Sequence, residues 1–206
     1  MWLNLLGRSA KKILLRVVAL LLLSLLSACS QQIERQTCVP LASEAQYCLS
    51  SASAVLAMSS QQDISLSQMV SFTHGQENHE LLTQLELNSQ RMTLVGLAPL
   101  GQALFTLVYD GQTLQSQQSL LLGEQFKAEY LMAIMQLIYW PTEQINQHLT
   151  GGELVTIACD MPLCKQLIDA SGALITITYN DIDPWSAQVN VDIDVADIHM
   201  QINPID

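Results

Sequence analysis

From about Ser67 onward, hydrophobic and polar residues alternate with a period of two, interrupted by one stretch of different character. Met69-Val70-Ser71-Phe72 runs into a turn at Gly75-Gln76-Glu77-Asn78, and Leu81 to Asn88 then alternates through Leu85 and Leu87. Such alternation sends every second side chain to a buried face and predicts strands. A third strand through Met92, Leu94 and Gly96 stops at Ala98-Pro99-Leu100-Gly101. A fourth, Ala103 to Tyr109, meets Asp110-Gly111, a dipeptide that favours a tight hairpin, and Thr113 to Ser119 returns.

The pattern then changes. Gln125 to Trp140 holds neither Gly nor Pro and is dense in Leu, Met, Ala and Glu, which predicts a helix. Pro141 ends it and starts a second helix through Ile145 and Leu149 to Gly151-Gly152, because proline pushes the preceding residue out of the α region and suits a first helical turn. Strands resume at Leu154 to Ala158, Lys165 to Asp169 and Leu174 to Tyr179. Val189, Val191, Ile193 and Val195 share one phase while Ile198, Met200 and Ile202 take the other, so a bulge or turn is expected near Ala196-Asp197. The order is five strands, two helices and about five strands: an α+β chain, mainly β, arranged as an antiparallel meander. Leu41 to Gln62, rich in Ser, Ala and Gln, fits neither period and carries no assignment.

The amino terminus follows another plan. Arg8, Lys11, Lys12 and Arg16 precede an apolar and small run from Val17 to Ala28, the layout of a secretory signal peptide. That run is shorter than the roughly 20 apolar residues needed to span a bilayer core. It ends in Leu26-Ser27-Ala28-Cys29, which resembles the lipobox of bacterial lipoproteins. Residues 1–28 are therefore read as a type II signal peptide, residues 29–36 as a lipidated tether, and residues 37–206 as a single domain. The resemblance implies that Cys29 carries covalent diacylglycerol and an N-acyl chain; no other cofactor is expected. Ser30 in place of the usual retention signal, Asp, implies lipid anchoring at the periplasmic face of the outer membrane.

Four of the eight Lys/Arg precede Cys29 and all 19 Asp/Glu follow it, leaving four basic against 19 acidic residues, a net −15. Such a surface disfavours nucleic acid and offers no basic patch to anionic lipid, so membrane attachment falls to the acyl chains. Removing Cys29 from the five cysteines leaves Cys38, Cys48, Cys159 and Cys164, an even set in an exported chain. Three pairings exist; the local ones, Cys38 with Cys48 and Cys159 with Cys164, are favoured. Their spacings fit zinc poorly, and no metal site is expected.

Two stretches carry a further resemblance: Val95-Gly96-Leu97-Ala98-Pro99-Leu100-Gly101-Gln102-Ala103-Leu104-Phe105-Thr106 with Tyr109-Asp110-Gly111, and Tyr130-Leu131 through Gln136-Leu137 to Tyr139-Trp140-Pro141. They look like a family of uncharacterised bacterial lipoproteins whose genes accompany aryl-polyene and fatty-acid-like biosynthesis clusters. That family is in turn similar to LolB, the outer-membrane acceptor of lipoproteins. The resemblance covers roughly Ser67 to Ile202. It implies a strongly curved antiparallel sheet, an incomplete barrel like those of LolA and LolB, with a two-helix lid inserted between strand groups over an apolar cavity. It also implies membrane lipid, a LolA-like periplasmic carrier as partner, and a monomer. The Cys38 to Cys48 segment departs from LolB's amino-terminal helix.

No catalytic constellation emerges, and an enzyme is not expected: no serine sits in a Gly-x-Ser-x-Gly elbow, and His74, His79, His148 and His199 lack ligand spacing and suit solvent-facing strand ends. Asp181, Asp183, Asp192, Asp194 and Asp197 lack the turn glycine of a calcium loop. The sharper candidates are apolar. Tyr130 to Trp140 is hydrophobic all round apart from Gln136, so it is either a core helix or a cover for an apolar ligand. Leu131, Met132, Met135, Ile138 and Trp140, with Phe105, are the candidate lipid contacts; methionine adapts to variable acyl chains. Leu100, between Pro99 and Gly101, joins them as a probe of membrane or lipid if exposed, although burial within the turn is the favoured expectation. The function expected is an acceptor or chaperone binding acyl, lipid or lipoprotein cargo in a cavity. The alternative is a scaffolding lipoprotein, without a cavity, that recruits a biosynthetic or transport partner.

Overall fold

A computed structural model describes residues 33–42, 44–59, 63–75, 77–119, 122 and 127–205. The leader, the lipobox with Cys29, Ser30 and the expected helix start at Gln125 lie outside the described residues. Residues 32–206 make one compact unit, which holds its own core and both disulfides described below.

The alternating segments are strands. In chain order they are β1 (Ile33–Arg35), β2 (Cys38–Pro40), β3 (Gln46–Cys48), β4 (Ile64–His74), β5 (Glu77–Leu87), β6 (Met92–Leu97), β7 (Ala103–Tyr109) and β8 (Leu114–Gln118). Then follow β9 (Leu149–Thr150), β10 (Glu153–Thr156), β11 (Leu163–Asp169), β12 (Gly172–Tyr179), β13 (Val189–Ile193) and β14 (Ile198–Pro204). The helices are α1 (Ala52–Ser59), α2 (Ala128–Tyr139) and α3 (Thr142–Asn146). Eleven strands build one antiparallel sheet in the order β1-β8-β7-β6-β5-β4-β14-β13-β12-β11-β10, while β2, β3 and β9 form a small second sheet.

The large sheet is curved and does not close into a barrel. Geometry shows how strong the curvature is. Eleven strands laid flat would be about 48 Å across, whereas a twelve-residue helix is about 18 Å long. Yet α2 is bonded to Arg35 in β1, Gln68 in β4, Met92 in β6, Lys165 in β11 and Tyr179 in β12. A short helix can touch one edge, the centre and the strand beside the other edge of such a sheet only if the sheet wraps round it, so the inner face is a trough. Alternate residues fill that face: Val70 of β4, Leu81, Leu85 and Leu87 of β5, Leu94 of β6, Leu107 of β7, Ile175 and Ile177 of β12, Val189 and Val191 of β13, Ile202 of β14.

The two sheet edges are blunted differently. β1 is only three residues long. At β10 the Asn146 side chain of α3 imitates a neighbouring strand: its Oδ1 accepts from Leu154 N at 2.8 Å and its Nδ2 donates to Leu154 O at 2.9 Å. Short or covered edges discourage pairing with other chains.

Several boundaries move. Ile33–Arg35, expected within the tether, is paired with β8. The unassigned stretch after Leu41 supplies β3 and α1. The second helix stops at Asn146, because Leu149 leaves it to pair with Tyr47 across β3 and β9 while His148 O accepts from Cys48 N at 2.9 Å. The expected phase break is a single turn of 3-10 helix, Asp194–Ala196, closed by Asp197 at φ 50°.

Candidate functional site

The trough and the helix seated in it are the feature around which function must be argued. Met132, Met135, Ile138 and Trp140 are fully buried, and Leu131 is partly buried. The helix expected to cover a cavity is thus inserted into the trough, and its apolar side chains pack on the chain's own core. Phe105 is buried too, its ring lying over Gly96, where a Cβ would fall 2.2 Å from the ring.

Polar contacts hold α2 in place. At its centre Gln136 Oε1 accepts from Tyr47 OH at 2.7 Å and from Ser50 N at 2.9 Å, and Nε2 donates to Ser50 O at 2.9 Å. At its carboxyl end, Lys165 Nζ donates to the carbonyls of Leu137, Ile138 and Trp140 at 3.3, 2.9 and 2.8 Å, and Tyr179 OH donates to Ile138 O at 2.7 Å. These carbonyls are among those that a helix end leaves unpaired, and a cation suits them. Gln68 Nε2 donates to Tyr139 OH, and Trp185 stacks on the Tyr139 ring at 4.7 Å. At the amino end Arg35 lies 3.7 Å from Glu129 and donates to Gln118 at 2.5 Å.

This burial shifts ionisation. Lys165 is 5% exposed, and desolvation lowers its pKa to about 8 against a smaller opposing pull from Glu143. Burial raises the Tyr139 phenol to about 12 and pushes those of Tyr47 and Tyr179 higher still.

Leu100 corrects the expectation of burial: it is 98% exposed at the tip of the β6–β7 turn. Ala98 N donates to Gln102 O and Gly101 N to Ala98 O, so the turn closes on its own backbone and leaves the leucine outside. Both local disulfides form. Cys38 and Cys48 face each other across β2 and β3 with Cα atoms 3.9 Å apart, and Cys159 joins Cys164 beside the β10–β11 connection.

The pattern described as "Protein of unknown function (DUF3261)" matches residues 65–206. The chain belongs to this family. The DUF3261 segment takes in ten of the eleven strands of the large sheet and both α2 and α3, so the trough and its helix lie within it. β1, the small-sheet strands β2 and β3, and α1 precede it. No curated protein matches the chain.

Gln68, Thr83 and Lys165 are among the buried polar residues of the DUF3261 domain that escape a reading by composition. Their phase betrays them. Gln68 is in step with Val70, Thr83 with Leu81 and Leu85, and Lys165 with Leu167, so each must face the trough. The histidines stay outside it: His74, His79 and His199 are exposed and His148 is half-buried. His199 Nδ1 contacts Asp192 Oδ1 at the edge of a shallow polar cleft of about 190 Å³ that also meets Asp194 and Asp197. Among the described residues no group of His, Cys, Asp or Glu is arranged to hold a metal, and no helix is long and apolar enough to cross a membrane.

Proposed function

We propose that the protein is an outer-membrane lipoprotein, anchored through acyl groups on Cys29, whose trough receives the acyl chains of a lipid or lipoprotein handed to it in the periplasm. The observation that carries this reading is the arrangement of α2. A helix apolar on nearly every side fills the apolar trough, occupying the space an aliphatic chain would need. Two of its inward residues, Met132 and Met135, are unbranched and can reshape around a guest. The likeness to LolB supports the same reading.

Leu100 supplies a route to the bilayer. β1 and β7 are both antiparallel to β8, so they run in the same direction. The amino-terminal end of β1 thus points to the rim where the β6–β7 turn presents Leu100. Cys29 precedes Ile33 by four residues, a reach of at most about 14 Å. The Ala98–Gln102 turn contains no charge, which suits it to a lipid surface. A LolA-like carrier is the partner this reading requires.

The complete burial of Met132, Met135 and Ile138 favours a second reading, a scaffolding lipoprotein whose trough is filled for good by its own helix. Mass spectrometry of the domain from residue 30 onward, purified without detergent from the periplasm, separates the two. Co-purified long-chain acyl species support the carrier; a chain free of lipid that also fails to take up added lipid supports the scaffold.

A further inference from the structure

One row of residues across the trough wall sets two buried polar side chains side by side. Gln68 lies opposite Thr83, Thr83 opposite Gly96, and Gly96 opposite Phe105. The next row on one side is Leu66, Leu85, Leu94 and Leu107, ending at the buried Ser116 beyond them, and on the other Val70 faces Leu81. Gln68 is 1% exposed and Thr83 3%. Gln68 Nε2 is used on Tyr139, but Gln68 Oε1 and Thr83 Oγ1 have no hydrogen-bond partner among the described residues. An unpartnered buried polar atom is costly, and leucine or valine at either place would avoid the cost. Two such atoms side by side in an apolar wall indicate a partner from outside the chain.

We propose that Gln68 and Thr83 form a head-group site for an uncharged hydroxyl at the end of an aliphatic chain; the inference rests on the lipid-binding reading above. Gln68 Oε1 can only accept, whereas the Thr83 hydroxyl can donate. A ligand hydroxyl that donates to Gln68 and accepts from Thr83 satisfies both atoms at once. A carboxylate does not fit. Gln68 Oε1 has no hydrogen to give it, and the row through Gln118, Phe105, Gly96, Thr83, Gln68 and Pro204 contains no lysine or arginine to offset a buried charge. Gly96 shapes the approach, because the Phe105 ring rests on its bare backbone beside the polar pair.

The test is competition for a pyrene-labelled alkyl probe bound to the domain from residue 30 onward, using 1-dodecanol, dodecanoate and dodecane. Dodecanol is expected to displace the probe at concentrations about tenfold below the other two, as one matched hydrogen-bonding site implies. Thr83→Val, nearly isosteric, should erase most of that preference while leaving the melting temperature unchanged or higher, and Gln68→Leu should erase it too. Equal displacement by dodecanol and dodecane, or an unaltered preference in Thr83→Val, overturns the proposal alone and leaves the polar pair to an ordered water. Failure of all three competitors overturns it together with the lipid-binding reading beneath it.

Discussion

Gln136 and Tyr47 meet inside the core, where the Tyr47 hydroxyl donates to Gln136 Oε1 at 2.7 Å across 89 residues of sequence. This bond ties α2 of the DUF3261 domain to β3, a strand that precedes the family segment. Replacing Gln136 by Leu strands the Tyr47 hydroxyl and both backbone groups of Ser50 that Gln136 now serves. The loss should be about 3 kcal/mol, or roughly 6–12 °C in melting temperature for a domain of this size. Tyr47→Phe, which leaves Gln136 both of its bonds to Ser50, should cost about 1 kcal/mol. Equal stability of Gln136→Leu and the parent in thermal denaturation would show that α2 is not held there.

Lys165 makes stability depend on alkaline pH in a defined sense. In the unfolded chain its amine titrates at its ordinary value of 10.5, and in the folded chain at about 8. Below pH 8 both states carry the proton and this group contributes no pH dependence. From pH 8 upward the unfolded chain holds more protons, so stability rises, by about 2–3 kcal/mol by pH 10. The tyrosines act oppositely: Tyr139, at about 12, and Tyr47 and Tyr179 keep phenolic protons that the unfolded chain loses above pH 10. Denaturant titrations between pH 7 and 11.5 should show a maximum near pH 10. Lys165→Met should remove the rise and keep the fall.

The cysteines give a third expectation. Cys38 and Cys48 are 10 residues apart in sequence and Cys159 and Cys164 are 5 apart, so each bridge closes a short loop. Loop entropy assigns each about 2–3 kcal/mol. Replacing Cys38 and Cys48 together with serine should lower the denaturant midpoint accordingly. It should also loosen β3, which shows as faster amide exchange at Tyr47 than at the remote strand β13.

Leu100 separates stability from membrane contact. Because it is almost wholly exposed, Leu100→Asp should change the melting temperature by less than about 1–2 °C. The same substitution should weaken co-sedimentation of the domain with phosphatidylethanolamine vesicles by about tenfold, the effect of withholding one leucine from hydrocarbon. Unchanged sedimentation would remove Leu100 from the lipid-contact surface.

Much of this architecture was legible in the sequence, for reasons that can be named. β7 spans Ala103–Tyr109 as its alternation predicts, because one face is buried at Phe105, Leu107 and Tyr109 and Asp110-Gly111 ends it. The reversal of phase after Val195 appears as the turn closed by Asp197. The stretch after Leu41 was opaque since β3 is three residues long and α1 eight, both too short to display a period, and α1 buries small residues such as Ala52. In the candidate site, the apolar run of α2 was visible, but its two readings, core and cover, share one pattern. Lys165 and Gln68 were hidden by their polarity: only their register with Leu167 and Val70 marks them as inward. Leu100 was misjudged because a turn leucine carries no periodic signal, and its exposure follows from backbone bonds that close the turn beneath it.

The central claim is that α2 can yield the trough to an acyl chain, and a fluorescence titration of the domain from residue 30 onward with a pyrene-labelled alkyl probe tests it most directly. The account predicts saturable binding at one probe per chain, abolished by Leu131→Asp, a half-buried position, in a variant whose circular dichroism matches the parent's. Emission that grows linearly with probe up to its solubility limit, identical in the parent and in Leu131→Asp, would contradict it and leave α2 as a permanent part of the core.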